Sequence, residues 1–398
     1  MKWEKVKLGD IATSIQPGPF GSQLHNSDYS EFGTPLIMPK DMINGHISHG
    51  NLIYVGNEHV SRLSRHQVHE GNIMVARKGD VRKCVYITEN EDGWMTGSDC
   101  LKVALNDAVC FPKFIYYQLR SPYIGKWLET ISIGATMPSL NTGLLSGIEL
   151  VLPPIPIQKR ITDILSAYDD LIKNNQKQIK LLEEAAQRLY KEWFIDLRFP
   201  GHENTPIHDG LPEGWVRTTV GDLCFLCKNA ISPEDVVSNT PYIGLEHIPR
   251  KDFCLSSWGD ASEVSSNKYI FRKNDIIFGQ IRPYFHKVGF AIVDGVSSTD
   301  SFVMRPQKCT WGLFLLTVSN EAFINYSYQT CKEGAKMPRA DWNQMKKYPV
   351  LVATTSIQIT FEKIINSITK KITSLVLQNM VLIESRDRLL PKLMSEEI

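Results

Sequence analysis

The chain has 398 residues, 44 Lys and Arg against 43 Asp and Glu, and a hydrophobic fraction of 42%. That length is enough for two or three domains with cores of their own, and the composition is that of an ordinary soluble protein. It excludes a membrane span, since no window approaches about 18 apolar residues in a row. With a formal net charge of +1, a nucleic-acid binder must gather its basic residues on one face.

In chain order, the opening MKWEKVKLGD has no signal-peptide character. Short β-rich runs follow at Lys5–Ile11, Thr34–Met38, Asn72–Ala76, Lys83–Glu89 and Cys100–Leu105, then helical sequence over Phe111–Thr130. Pro153, Pro154 and Pro156 precede a long amphipathic helix predicted over Gln158–Phe194, about 55 Å at roughly 1.5 Å per residue. Arg198–Gly214 is rich in Pro and Gly and reads as a linker. The pattern then recurs, ending with helical sequence over Thr310–Tyr328 and a second long helix over Phe361–Leu390, which Pro391 should terminate.

The recurrence is also visible residue by residue. WEKVKLGDI at Trp3 returns as WVRTTVGDL at Trp215, and TPLIMPKDM at Thr34 as TPYIGLEHI at Thr240. GNIMVARKGDVRKCVYI at Gly71 matches NDIIFGQIRPYFHKVGFAI at Asn274, and IGATMPSLN at Ile133 matches EGAKMPRAD at Glu333. Beyond that the spacing is constant, Gln158 with Gln358 and Leu189 with Leu389. The sequence therefore reads as a duplication. The expected fold class is α+β: two repeated α+β domains, 1–152 and 200–350 (the latter including the linker), separated by a long antiparallel two-helix coiled coil (153–199 and 351–398), pseudo-two-fold symmetric.

Heptad positions carry the helix pairing. The first stripe is Leu165, Tyr168, Ile172, Ile179, Leu182, Ala186, Leu189 and Trp193, broken by Asn175; the second is Ile365, Ile368, Ile372, Leu375, Leu382 and Leu389, broken by Asn379 and Arg386. One antiparallel register sets Leu165 against Leu389, Leu182 against Ile372, Trp193 against Phe361, and Asn175 against Asn379. Sliding by a heptad leaves an amide facing an aliphatic side chain, at about 1–3 kcal/mol per unpaired group. The competing arrangement has both amides facing solvent at a flared seam.

The order of segments, with GPFGSQLHNSDYSEFGTPLI (Gly18–Ile37), GATMPSLNTGLLSGIELVLPPIPIQKRI (Gly134–Ile161), the junction RLYKEWFIDLRFPG…GLPEGW and IRPYFHKVG (Ile281–Gly289), resembles the specificity (S) subunits of type I restriction-modification systems over essentially the whole chain. TTSIQITFEKI departs from the family pattern at the entry to the second helix. The resemblance implies that each globular unit is a target-recognition domain for one half of a bipartite, asymmetric double-stranded DNA site. The helices then act as a spacer, two modification (M) subunits dock and methylate adenine with S-adenosylmethionine, and restriction (R) subunits add ATP-dependent translocation and cleavage. S-adenosylmethionine, ATP and Mg are expected on those partners, with no cofactor and no metal on this cytoplasmic, non-catalytic chain.

The residues themselves offer no convincing catalytic centre. The Asn/Asp-Pro-Pro-aromatic signature of adenine methyltransferases is absent, as are a Walker loop and a strand-linked GxGxxG. His46, His49, His59, His66 and His69 lack a metal-ligand spacing, and Cys224 and Cys227 have no second pair for zinc; the eight cysteines read as reduced thiols. GPFG (Gly18–Gly21) reads as a structural turn rather than a phosphate cradle. DNA contact requires Arg and Lys for phosphates and Arg, Lys, Asn or Gln for base edges. The candidates are Arg62, Arg65, His66, Arg77, Lys78, Arg82 and Lys83 in the first unit. In the second they are Arg250, Lys251, Arg272, Lys273, Arg282, Tyr284, His286 and Lys287. Arg77–Lys83 and Gln280–Lys287 occupy corresponding places between two strands. Asn141, Arg339 and Trp342 are expected to hold each unit against its helix. The competing readings are a stand-alone modification enzyme and a coiled-coil scaffold that touches no DNA.

Overall fold

The computed structural model describes residues 3–132, 138–331 and 336–394. The first halves of the matching segments IGATMPSLN and EGAKMPRAD, residues 133–137 and 333–335, lie outside them. The chain divides into two compact units, residues 1–171 with 382–398, and residues 172–381.

In the first unit the central antiparallel sheet runs in the order Ala12–Pro17, Cys100–Leu105, Ile73–Ala76, Cys84–Tyr86. Its two middle strands are almost wholly buried, as their mainly apolar sequences require; the one charged residue in them, Lys102, places its ammonium on the Arg65 and Gln67 carbonyls (2.7 Å each). A second sheet pairs Met95–Thr96 in parallel with Thr34–Ile37, and Glu4–Lys7 pairs with Glu149–Leu152. The expected strand Lys5–Ile11 is half strand: Leu8–Ile11 forms a helical turn that buries Leu8 and Ile11. The expected helical segment Phe111–Thr130 is two helices, Pro112–Leu119 and Pro122–Ile131, parted where the Ser121 hydroxyl accepts the Ile124 N–H and Pro122 begins the second.

The second unit has the same order of pairings. Its central sheet runs Cys224–Leu226, Ser301–Pro306, Ile276–Gly279, Val288–Ala291, with Cys254–Leu255 added at the edge. Gly295–Ser297 lies parallel to Pro241–Ile243, and Val216–Thr219 pairs with Pro349–Val352. Helices Trp311–Val318 and Glu321–Gln329 follow, the latter capped by Asn320.

The long helices span Ile155–Tyr190 and Thr355–Met394. The first begins before Pro156 rather than after it, because an N–H in the first turn has no intrahelical partner to lose. It closes with a π-turn over Lys191–Ile195. The second continues through Pro391 to Met394, a correction to the expected stop: Leu390 and Leu393 are buried in the first unit's core, and that burial offsets one lost backbone bond. Each helix is tied to its own unit by one glutamine. Gln158 accepts the Phe111 N–H (2.8 Å) and donates to the Pro153 carbonyl (2.7 Å); Gln358 accepts the Thr310 N–H (3.2 Å) and donates to the Ala353 carbonyl (2.9 Å).

Within the first unit Ile161, Leu165, Leu390 and Leu393 join the core. A buried carboxylate, Asp169, accepts from Tyr117 Oη (2.8 Å), Arg120 Nη1 (3.3 Å) and Arg386 Nη1 (2.6 Å). Burial alone would raise the Asp169 carboxyl, but Arg120 and Arg386 hold it below the usual carboxylate range. Within the second unit the helices run antiparallel: Trp193 meets Phe361 at 5.5 Å between ring centres, and Asn175 Nδ2 donates to Asn379 Oδ1 at 3.0 Å, both amides buried.

Candidate nucleic-acid interface

The two basic loops leave equivalent strands and are pinned by the same backbone bonds. In the first, Arg77 N–H donates to the Asp99 carbonyl (2.7 Å), Leu140 N–H to the Arg77 carbonyl (2.8 Å), and Gly79 N–H to the Pro138 carbonyl (3.1 Å). In the second, Gln280 N–H donates to the Asp300 carbonyl (2.8 Å), Ala340 N–H to the Gln280 carbonyl (2.9 Å), and Arg282 N–H to the Pro338 carbonyl (2.7 Å). The far end of each loop is also fastened alike. Lys83 Nζ donates to the Pro39 carbonyl at 3.2 Å, and Lys287 Nζ to the Leu245 carbonyl; Pro39 and Leu245 correspond in the TPLIMPKDM and TPYIGLEHI segments.

The side chains on this shared frame differ. In the first loop Lys78 pairs with Asp99 (3.0 Å), and Arg82 with Asp80 (2.9 Å) and Glu129 (3.3 Å); the Arg82 guanidinium holds the Asp80 carboxyl below its ordinary range. Arg77 is half-buried, with its guanidinium over the exposed Phe20 ring at 5.5 Å. An open groove of about 700 Å³ runs alongside, lined by Asp80, Arg82, Lys83, Arg120, Lys126 and Glu129 among others. In the second loop Arg282 and Arg250 approach the Phe285 ring at 5.8 and 3.9 Å, and the exposed Tyr284 meets Phe285 and Tyr328 at 4.8 and 5.3 Å.

Other candidates are dispersed. Arg62 donates to the Gln23 carbonyl (2.7 Å) and Arg65 to His66 (3.0 Å). His66 is buried, bonded to the Pro17 carbonyl, and pushed down in pKa by burial and by Arg65. Lys251 is exposed, and its N–H donates to the His286 carbonyl (3.0 Å). Arg272 and Lys273 stand at a strand end, their N–H groups donating to the Asp275 and Asp294 carboxylates. His286 is corrected from a surface contact to an anchor: its ring is 4% exposed, Nε2 bonds the Ser319 carbonyl (2.8 Å), and burial lowers its pKa, so its uncharged form is favoured. Lys83 and Lys287 likewise have their ammonium groups on carbonyls.

Asn141, Arg339 and Trp342 also act within their units rather than on a long helix. Asn141 caps Thr142–Ser146, Arg339 bonds Gln280 (3.0 Å) and Asp300 (2.8 Å), and Trp342 packs on Phe302 (5.6 Å). Gly18 packs so tightly that a Cβ would lie 1.9 Å from the Gly97 carbonyl oxygen, which gives the GPFG turn its structural reason. Cys224 and Cys227 are buried, and burial pushes the Cys224 thiol up to about 12. His49, His59, His66 and His69 meet separate partners, and among the described residues no three His, Cys, Asp or Glu groups converge as a metal site.

Residues 1–184 match the family described as the type I restriction modification DNA specificity domain. The MjaIX type I restriction enzyme specificity subunit of Methanocaldococcus jannaschii is 24% identical, over 99% of this chain and 93% of its own. The HindI specificity subunit of Haemophilus influenzae is 20% identical, over 100% of this chain and 99% of its own. The chain is thus similar to type I restriction enzyme specificity subunits, through the family match over residues 1–184 and through relatives that align along nearly its whole length. Among solved structures, the S subunit of the type I restriction-modification system from M. genitalium shares the fold, with a TM-score of 0.57 at 15% identity over 99% of this chain and 96% of that one. No helix among the described residues is long and apolar enough to cross a membrane.

Within this chain, sequence reasoning missed Asp99, Asp300, Pro138 and Pro338, the groups that hold the basic loops, and the aromatic supports Phe20 and Phe285. The matching Met-Pro dipeptides at 137–138 and 337–338 were the available signal for the prolines. Phe20 gave none, because it lies far from Arg77 in sequence, whereas Phe285 stands only three residues after Arg282.

Proposed function

We propose that the chain is the non-catalytic DNA-recognition subunit of a type I restriction-modification complex in the cytoplasm. Each duplicated unit reads one half of a bipartite, asymmetric site, and the two long helices form the antiparallel coiled-coil spacer between the readers. Two M subunits methylate adenine under its direction, and R subunits join for cleavage. The observation that carries this reading is the pair of basic loops, held by the same backbone bonds in both units yet furnished with different side chains. A constant frame with variable donors suits two readers of different sequences, since phosphate contacts position while base-edge contacts specify. The contact residues proposed are Arg62, Arg65, Arg77, Lys78 and Arg82 in one unit and Arg250, Lys251, Arg282 and Tyr284 in the other. Asn175 and Asn379 are proposed to fix the helix register.

Mapping of N6-methyladenine in cells that express the chain with its M partner tests the proposal. Exchanging one unit at a time for that of a relative should change one half of the methylated motif and leave the other. Methylation that is indifferent to both exchanges rejects it.

A further inference from the structure

The two loops differ at one place where their common geometry favours a single residue type. Gly79 and Arg282 each stand three residues beyond the preceding strand, and each donates its N–H to the carbonyl of the equivalent proline, Pro138 or Pro338. Both have left-handed backbones, φ +79° at Gly79 and +51° at Arg282. Glycine enters that region without steric cost, whereas a Cβ crowds the following carbonyl. The second unit therefore keeps an arginine where the backbone favours glycine.

The side chain adds a second cost. Arg282 Nε is buried with no hydrogen-bond partner, and the guanidinium lies against the Phe285 ring instead. A buried N–H left unpaired is unfavourable, and such departures persist where the surroundings or a ligand require them. Lys78 and Arg82 of the other loop are engaged by carboxylates; among the described residues no carboxylate lies within ion-pair distance of Arg282. A planar guanidinium oriented by ring contact keeps its fork of donors for a ligand.

We propose that Arg282 is a specificity-determining residue that presents this guanidinium to a guanine in the half-site of the second unit, where O6 and N7 can accept two N–H bonds. The inference rests on the second unit being a DNA reader. Arg282→Gly installs the residue that the first unit carries, and Arg282→Asn is a second variant tolerant of the left-handed backbone. With the full complex in cells, both should keep the thermal midpoint of the wild type or raise it. Both should also relax one guanine position in one half of the methylated motif, with methylation at sites carrying another base there rising about tenfold relative to the guanine sites. The other half should not change.

An unchanged motif, or a wild-type half-site for this unit that lacks guanine, overturns the inference. So does uniformly weaker methylation with the motif intact and rescued by Arg282→Lys, which would mark a phosphate contact. The parent reading fails separately: exchanging residues 200–350 would then alter neither half. If that exchange alters one half while both Arg282 variants leave it intact, only the present inference is overturned.

Discussion

Glu183 shows how much one buried group can carry. It sits on the first long helix, 4% exposed, and accepts the Phe253 N–H at 2.6 Å. Burial, with Asp252 close by, pushes its carboxyl from 4.5 up to about 8. The folded state thus binds this proton more tightly than the unfolded chain, so the contribution of Glu183 to stability is complete below about pH 4.5 and is lost as pH rises to about 8. Thermal unfolding of the complex across that range should show a falling midpoint. Glu183→Gln, which keeps the acceptor oxygen, should flatten the fall and be the more stable form above pH 8; parallel curves for the two would exclude the assignment. Nothing in the sequence around Glu183 distinguishes it from the exposed glutamate that follows it. Its character comes from burial and from Asp252, beside the Phe253 N–H that lies seventy residues away in the chain.

At the scale of elements, the long helices were the most legible part of the chain. Heptad spacing depends on neighbours three and four residues apart, so the stripes, and the register that brings Asn175 to Asn379, can be worked out from sequence. Replacing either Asn alone with Leu should strand one buried amide and lower stability by about 1–3 kcal/mol, while the double replacement should match or exceed the wild type. Two neutral single variants in thermal unfolding would mean that the amides do not depend on each other. The helix ends were less legible. Pro391 reads as a stop, yet tertiary burial of Leu393 carries the helix past it. Arg386 reads as a flaw in the stripe, yet it is one of three donors to Asp169.

For the molecule as a whole, a net charge of +1 means that long-range attraction to duplex DNA is weak and that the DNA binding proposed above must draw its affinity from local groups. Substituting Arg250 or Lys251 with Ala in the full complex should lower the slope of log affinity against log salt by about 1 for each phosphate no longer neutralised, without altering the methylated motif. An unchanged slope would show that the substituted residue does not meet a phosphate. The sequence by itself determined the α+β class, the short strands, the two long helices and the matching order of segments, because each rests on local periodicity or internal likeness. Only the tertiary structure decided which basic side chains are free to meet a ligand. Lys83 and Lys287 are fastened to carbonyls 44 and 42 residues away, His286 is enclosed, and Arg282 is held in a conformation its sequence does not announce. Those outcomes depend on which distant backbone groups folding brings within hydrogen-bond reach, and no local pattern encodes that.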